Sequence, residues 1–241
     1  MSERGAGTGT LYLVPVALGG EGAQPLLPAA TLEIARALRV FIAEDARSAR
    51  RFLKAIGHPG PVREVGMLLL NEHTAAREID ALLARLLAGQ DCGLVSEAGC
   101  PAVADPGAEL VRRAHLSGIR VVPLVGPSSI LLALMASGLD GQHFAFHGYL
   151  PVDKGERARR LKDIEARAHG QTQIFIETPY RNAALLQALL DHCRGDTLLG
   201  VAADLTLPSE WVATRAIAEW KKKPPALDRR PAVFLLYRYR P

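Results

Sequence analysis

With 241 residues, 49% hydrophobic and 22% charged, the chain can form one large domain or two of about 120 residues, and it is too apolar to be disordered. Its formal charge of +4 is too small to argue for nucleic acid by itself. Cys92, Cys100 and Cys193 are odd in number, scattered and without a CxxC pair, which excludes a disulfide framework and favours a reducing, cytoplasmic setting.

Residues 1–9 are Gly-rich and expected to be disordered. Their Gly5-x-Gly7-x-Gly9 precedes the first strand instead of following it, so it is discarded as a dinucleotide fingerprint. Thr10–Val16 reads as a strand ending at Pro15. Thr31 is placed to cap a helix over Leu32–Leu38. Arg39–Ala43 is a strand that runs into Glu44-Asp45-Ala46-Arg47 and a basic helix, Ser48–Ile56. A short strand within Val62–Leu70 leads to Asn71-Glu72-His73. Thr74–Ala88 is then an amphipathic helix with Ile79, Leu82, Leu83, Leu86 and Leu87 on one stripe.

Asp91–Ser96 is a buried strand, followed by a long loop of small residues to Gly107 and a helix over Ala108–Leu116. A strand, a small-residue loop and a helix describe the C-terminal edge of a parallel sheet, where open α/β folds bind ligands. The loop exceeds the usual βα connection, which points to function. Gly118–Val122 is a strand, and Gly126-Pro-Ser-Ser129 opens the helix Ile130–Ser137. The domain boundary is expected at Pro123–Pro127, giving domains 10–123 and 124–241.

The second half continues with strands at Phe144–His147, Gln171–Ile176, Thr197–Ala202, Trp211–Thr214 and Ala232–Tyr237. Helices are expected at Lys154–Ala168, Asn182–Cys193 and Ile217–Lys222. This sheet should mix strand directions more than the first. The fold class is α/β in two domains. No apolar run reaches the ~18 residues of a membrane span, and the N-terminus lacks a signal peptide's apolar region.

Metal ligation is not expected. The histidines are dispersed, and His143 and His147 on a strand would lie about 13 Å apart. Gly126-Pro-Ser128-Ser129 is not a GxSxG elbow, and no Walker loop occurs. What remains is a set of small-residue loops after strands, able to converge on one elongated ligand. Around them stand Glu44, Asp45, Asn71, Glu72, Glu97 and Glu177. Arg47, Arg50, Arg51 and Lys54, with Arg157, Arg159, Arg160 and Lys162, form basic helices that could hold a phosphate backbone.

Leu11-Tyr-Leu-Val-Pro15, Ala43-Glu-Asp-Ala-Arg47, Ser96-Glu-Ala-Gly-Cys-Pro-Ala-Val-Ala-Asp-Pro-Gly107, Gly126-Pro-Ser-Ser129, Phe144-x-Phe-x-Gly148-Tyr-Leu-Pro151 and Phe175-Ile-Glu-Thr-Pro-Tyr-Arg181 occur in this order. Together they resemble the ribosomal RNA small subunit methyltransferase I family, among the class III, tetrapyrrole-methylase-like enzymes. The resemblance implies two α/β domains with S-adenosylmethionine in the cleft between them, a homodimer, and RNA ribose as substrate. A tetrapyrrole or other small molecule, or a cofactor-binding dimer without catalysis, stays open as an alternative.

By the same resemblance Pro15, Glu97, Gly99, Pro101, Val103, Ser128 and Ser129 should contact the cofactor, and Thr178, Pro179, Ala203 and Pro231 should line the second domain's side. Arg47, Asn71, Glu72, Arg157, Arg160 and Arg181 are the candidates for substrate. Glu44 and Asp45 are the catalytic candidates. Adjacent strand residues point to opposite sides, so Glu44 is expected at the site and Asp45 as a helix cap. The chain departs from the family at Glu97 and Cys100, where Asp and Thr are usual. It also has Ala46 for Thr, and Ala203-Asp204-Leu-Thr-Leu207 for a segment with two more positive charges.

Overall fold

The computed structural model describes residues 7–19 and 26–239. The chain divides into two compact units, Met1–Ser128 and Ser129–Pro241. Residues 1–6 of the N-terminal stretch expected to be disordered lie outside the described residues. Gly9, within that stretch, is buried and its N–H donates to Leu86 O at 2.7 Å.

The first unit holds β1 (Thr10–Leu13), β2 (Val40–Ala43), β3 (Gly66–Leu69), β4 (Cys92–Val95) and β5 (Arg120–Pro123), all parallel in the order β3-β2-β4-β1-β5. β2 and β4 are buried along their whole length, as interior parallel strands are. Gly93 in β4 has a packing reason. A Cβ there would lie 2.9 Å from Leu38 Cδ1 and from the Phe41 ring.

Four helices cover this sheet: α1 (Ala29–Ala37), α2 (Ala46–Ala55), α3 (Ala76–Leu87) and α4 (Ala108–Leu116). α1 and α2 bury Ala35, Leu38, Ala49 and Leu53 in one core with Val14 and Phe41. α3 and α4 bury Ile79, Leu82, Leu86, Leu110 and Ala114 in another with Leu11 and Leu94. The two pairs therefore cover opposite faces of the sheet. α1 starts before Thr31, so Thr31 is not its cap. The hydroxyl instead donates to Val125 O at 2.8 Å, which ties α1 to the segment after β5. α3 starts after Thr74, whose Oγ1 accepts from Asn71 N at 2.8 Å.

The second unit contains α5 (Ser129–Ser137), β6 (Phe144–Tyr149), α6 (Lys154–Arg167), β7 (Thr172–Glu177), α7 (Asn182–His192), β8 (Leu198–Ala203), β9 (Trp211–Ala216), α8 (Ile217–Lys222) and β10 (Ala232–Tyr237). Its sheet runs β6-β7-β10-β8-β9. Only β6 and β7 pair in parallel; β10 is antiparallel to both neighbours, and β8 to β9. Strand alternation sends Phe175, Val201 and Phe234 into a core with Leu161, Leu185, Leu189 and Trp220. Phe175 and Phe234 stack at 6.0 Å. α5 packs on β8, β9 and β10. β6 continues past His147 through an irregularity between Phe146 and Tyr149, where Gly148 takes φ 64°.

The division falls at Ser128–Ser129, five residues beyond the expected Pro123. Leu124 N donates to Leu13 O at 2.9 Å, which carries the first sheet's ladder onward. Gly126 also sits against Pro15, where a Cβ would fall 2.2 Å from Pro15 Cγ.

Candidate active site

In the first unit β1 and β4 are hydrogen-bonded neighbours, yet their chains leave for opposite faces, β1 toward α1 and β4 toward α4. Such a reversal is a topological switch point, and it opens a crevice at the carboxyl ends of the two strands. The segments on either side are joined. Val14 N donates to Leu94 O at 2.8 Å, and Val16 N to Gly99 O at 2.9 Å.

The Ser96–Gly107 loop is forced into an unusual course. Gly99 and Gly107 have φ of 71° and 123°, and Ala102 and Ala104 lie at 65° and 61°. Alanine has a Cβ that disfavours this region, so two such residues in one loop are backbone strain of the kind that gathers at ligand sites. A Cβ on Gly99 would stand 3.1 Å from Leu18 Cδ2. The loop therefore offers backbone and small side chains at the crevice.

Several carboxylates share this edge, Glu44, Asp45 and Asp105 among them. Asp45 is the N-cap of α2, its Oδ1 accepting from Ser48 N at 2.7 Å. That bond holds its pKa below the ordinary value. Glu44, one residue earlier, is half-buried. Burial, then Glu97, Glu72 and Asp45, push its pKa up. Asp105 is pushed up to about 6 by burial and by Glu44 and Glu97, against a hydrogen bond from Ser96. Glu44 and Asp105 thus hold protons more tightly than free carboxylates do.

In the second unit β6, β7 and β8 end at the edge where β9 and β10 begin. Ala232 is opposite both Glu177 and Ala203 in the register, and Asp204 N donates to Pro231 O at 2.9 Å. Thr178, Pro179, Ala203 and Pro231 therefore line one edge. Arg181 Nε donates to Glu177 Oε1 at 2.9 Å, and Asn182 Nδ2 to Arg230 O at 2.6 Å. Arg230 Nε reaches Asp204 Oδ2 at 2.8 Å.

The sequence pattern of the family described as Tetrapyrrole (Corrin/Porphyrin) Methylases matches residues 10–220. This chain belongs to that family. It is 31% identical over 237 residues to the ribosomal RNA small subunit methyltransferase I of Vibrio cholerae, covering 97% of this chain and 79% of the relative. The protein of the same name from Mesorhizobium japonicum is 38% identical over 212 residues, 87% of this chain and 69% of its own. The crystal structure of the methyltransferase CobJ superposes with a TM-score of 0.62 at 16% identity, covering 97% of this chain and all of the other. That likeness carries the fold alone. The chain is an S-adenosylmethionine-dependent methyltransferase.

In this chain Pro15, Gly99 and Pro101 are buried at the switch point, while Glu97 and Val103 are exposed on the loop. Ser128 and Ser129 follow β5, on either side of the division between the units. Arg47 is exposed in the first turn of α2. Asn71 shapes the turn after β3, its Oδ1 accepting from His73 N at 2.9 Å; exposed Glu72 lies 3.4 Å from His73.

Two expected substrate residues are committed elsewhere. Arg157 is only 6% exposed, its Nη1 turned to Val152 O at 3.3 Å, so it packs inside the unit and offers no charge to RNA. Arg181 is engaged by Glu177. Arg160 is half-buried with Nη2 3.2 Å from His147 Nδ1. The reading from sequence missed Asp105. Its only signal was being the one carboxylate between Ala98 and Gly107, and that says nothing of its folding inward.

Proposed function

We propose that the chain methylates small-subunit ribosomal RNA, as its relatives from Vibrio cholerae and Mesorhizobium japonicum are named for, and that the acceptor is a ribose hydroxyl, as the family resemblance implies. The observation that carries the chemistry is the switch point, where a strained small-residue loop meets Glu44 and Asp105. The edge suits S-adenosylmethionine because its loop is built of small residues, with Gly99, Ala102 and Ala104 in left-handed backbone. Pro15, Gly99, Pro101, Val103 and Ser128 would hold the cofactor there, and Ser129, Thr178, Pro179, Ala203 and Pro231 are the second unit's candidates by the family resemblance. When bound, the cofactor supplies an activated methyl group on a sulfonium.

The protein's own work is then positioning and proton removal. A ribose hydroxyl is a very weak acid and loses its proton late in the displacement. Glu44 is the acceptor. Burial, then Glu97, Glu72 and Asp45, raise its proton affinity, which strengthens it as a base. Asp105 adds to the negative field. Asp45 holds α2, so that Glu44 stays at the strand end.

We also propose a cytoplasmic homodimer. Leu131 and Met135, one turn apart on α5, are 51% and 79% exposed, an apolar pair suited to self-association. Light scattering behind a sizing column reads that directly. The test of the activity is transfer of labelled methyl to small ribosomal subunits, with nucleoside mass spectrometry to find the product. A 2′-O-methylated nucleoside is expected. Labelled base instead of ribose, or cofactor bound with no transfer to RNA, would overturn the reading.

A further inference from the structure

Where β8 turns into β9 the second unit has a cavity of about 530 Å³, lined by Ser209, Glu210, Trp211, Pro225, Ala226 and Arg230. We infer that it takes an unpaired nucleobase of the RNA substrate, stacked on Trp211, and this rests on the RNA reading above. One wall is the turn after β8. There Thr206 N donates to Glu210 Oε2 at 2.7 Å, Leu207 N to Asp204 O at 2.9 Å and Glu210 N to Leu207 O at 2.9 Å. The other wall is the segment between α8 and β10. Arg230 clamps the two together, Nε to Asp204 Oδ2 and Nη2 to Ser209 O, both at 2.8 Å. Among the described residues five non-glycine residues have positive φ, and Asp204, Thr206 and Arg229 in these two walls are three of them. Strain of this kind gathers at ligand sites.

The lining selects the ligand. Trp211 is held from behind by an edge-on contact with Trp220 at 6.0 Å, and Trp220 is itself buried with its Nε1 donating to Leu199 O. The indole is thus braced against the core, and Pro225 and Ala226 line the same cavity. Arg230 and Ser209 already bond the protein, so the cavity gains little by reading a hydrogen-bond pattern. A flat heteroaromatic ring is the fitting guest, and the cavity leaves room for the sugar and phosphate attached to it.

Charge decides which flat ring. Residues 221–230 carry Lys221, Lys222, Lys223, Arg229 and Arg230 against Asp228 alone, and all but Arg230 of these cations are exposed. An aromatic platform beside a basic run is the arrangement that holds single-stranded nucleic acid, stacking the base and drawing in the backbone.

The two tryptophans make the test direct. A mixed-sequence 12-nucleotide RNA is titrated into the full-length protein while indole fluorescence is followed. Saturable quenching is expected, and Trp211→Phe should leave only a Trp220 signal that RNA changes little. Trp211→Ala should weaken RNA binding about 10-fold, the scale of one stacked base. Because Trp211 also touches the core, Ala226→Phe is the second variant; it fills the cavity from an exposed position and should weaken RNA to a similar degree. Unchanged RNA affinity in a folded Ala226→Phe, with no quenching in the parent, would overturn the cavity while leaving the RNA reading standing. S-adenosylhomocysteine quenching Trp211 in competition with RNA would assign the cavity to the cofactor and also overturn it. No RNA binding by any variant would sink both readings.

Discussion

Glu44 and Asp45 are neighbours of one chemical type given different work by their surroundings. Asp45 folds back onto Ser48 N, and Glu44 does not. Asp45→Ala should destabilise the fold by about 1 kcal/mol, the usual value of an N-cap, and leave methyl transfer in the folded fraction near normal. Glu44→Gln should do the reverse, slowing transfer about 100-fold with cofactor affinity nearly unchanged. Calorimetric binding, thermal melts and single-turnover transfer on both variants separate the two roles. Full activity in Glu44→Gln would remove it as the base. Strand alternation makes the Asp45 cap legible from sequence. Asp105 was not legible, because a loop has no period to say which side chain turns inward. Its pKa near 6 lies above the unfolded value of about 3.9. The native state therefore binds this proton more tightly, and its contribution to stability is full below pH 4 and lost as pH rises through 6. Asp105→Asn should gain of order 1 kcal/mol at pH 7, after allowance for its partial exposure, and nothing at pH 4. Urea melts at the two pH values check the sign.

At the scale of elements, α6 is fastened to β6 through one polar chain. Gln173 Nε2 donates to Gln171 O, Gln171 Oε1 and Arg167 O, so its Oε1 is the acceptor facing His147 Nε2 at 2.7 Å. His147 must then carry its proton on Nε2 and accept from Arg160 at Nδ1. Burial holds its pKa below the ordinary value, with Arg160 and Arg167 adding to the effect against the Gln173 bond. The stability tied to neutral His147 is present above about pH 6.5 and is lost as pH falls below it. Arg160→Ala should raise this pKa, and nitrogen-detected NMR should find the Nε2–H tautomer at pH 7. A doubly protonated ring at that pH would contradict the network. The helix itself is readable from sequence as a charged stretch, and the structure adds its cap, Asp153 Oδ1 accepting from Glu156 N at 2.9 Å. The burial of Arg157 was not readable, since arginine inside a charged helix is usually solvated and only the packed unit shows otherwise. The end of β6 was missed for a similar reason, because Gly148 looks like a stop but supplies a bulge. Gly93 went unremarked in the sequence because a glycine in a strand does not announce its neighbours. Gly93→Ala should cost about 1–3 kcal/mol by overpacking against Leu38 and Phe41, measured by chemical denaturation.

For the whole molecule, the alternation of strand and helix was enough to read two α/β sheets, and the strand-end loops were enough to find the edges. Electrostatics was harder to read, since a net charge of +4 hides where the cations stand. Expected charge on α6 is reduced by Arg157, which is buried, and by Arg160, which is half-buried against His147. Lys221, Lys222 and Lys223 lie instead on an exposed run beside the Trp211 cavity. In the other unit α2 exposes Arg47, Arg50 and Lys54. If one RNA is gripped through both units, each set releases its own counterions, at about 0.7 of a log unit in the salt slope per phosphate held on a single strand. Changing the three lysines to Gln should flatten the slope by about 2, and changing Arg47, Arg50 and Lys54 to Gln by about 2 again. The combined variant should lose both, about 4, when the two sets hold separate phosphates. Filter binding between 50 and 300 mM salt measures this. A combined loss no greater than either alone would mean that the two sets compete for one stretch of backbone. A full loss from the lysines with none from α2 would confine RNA to the second unit.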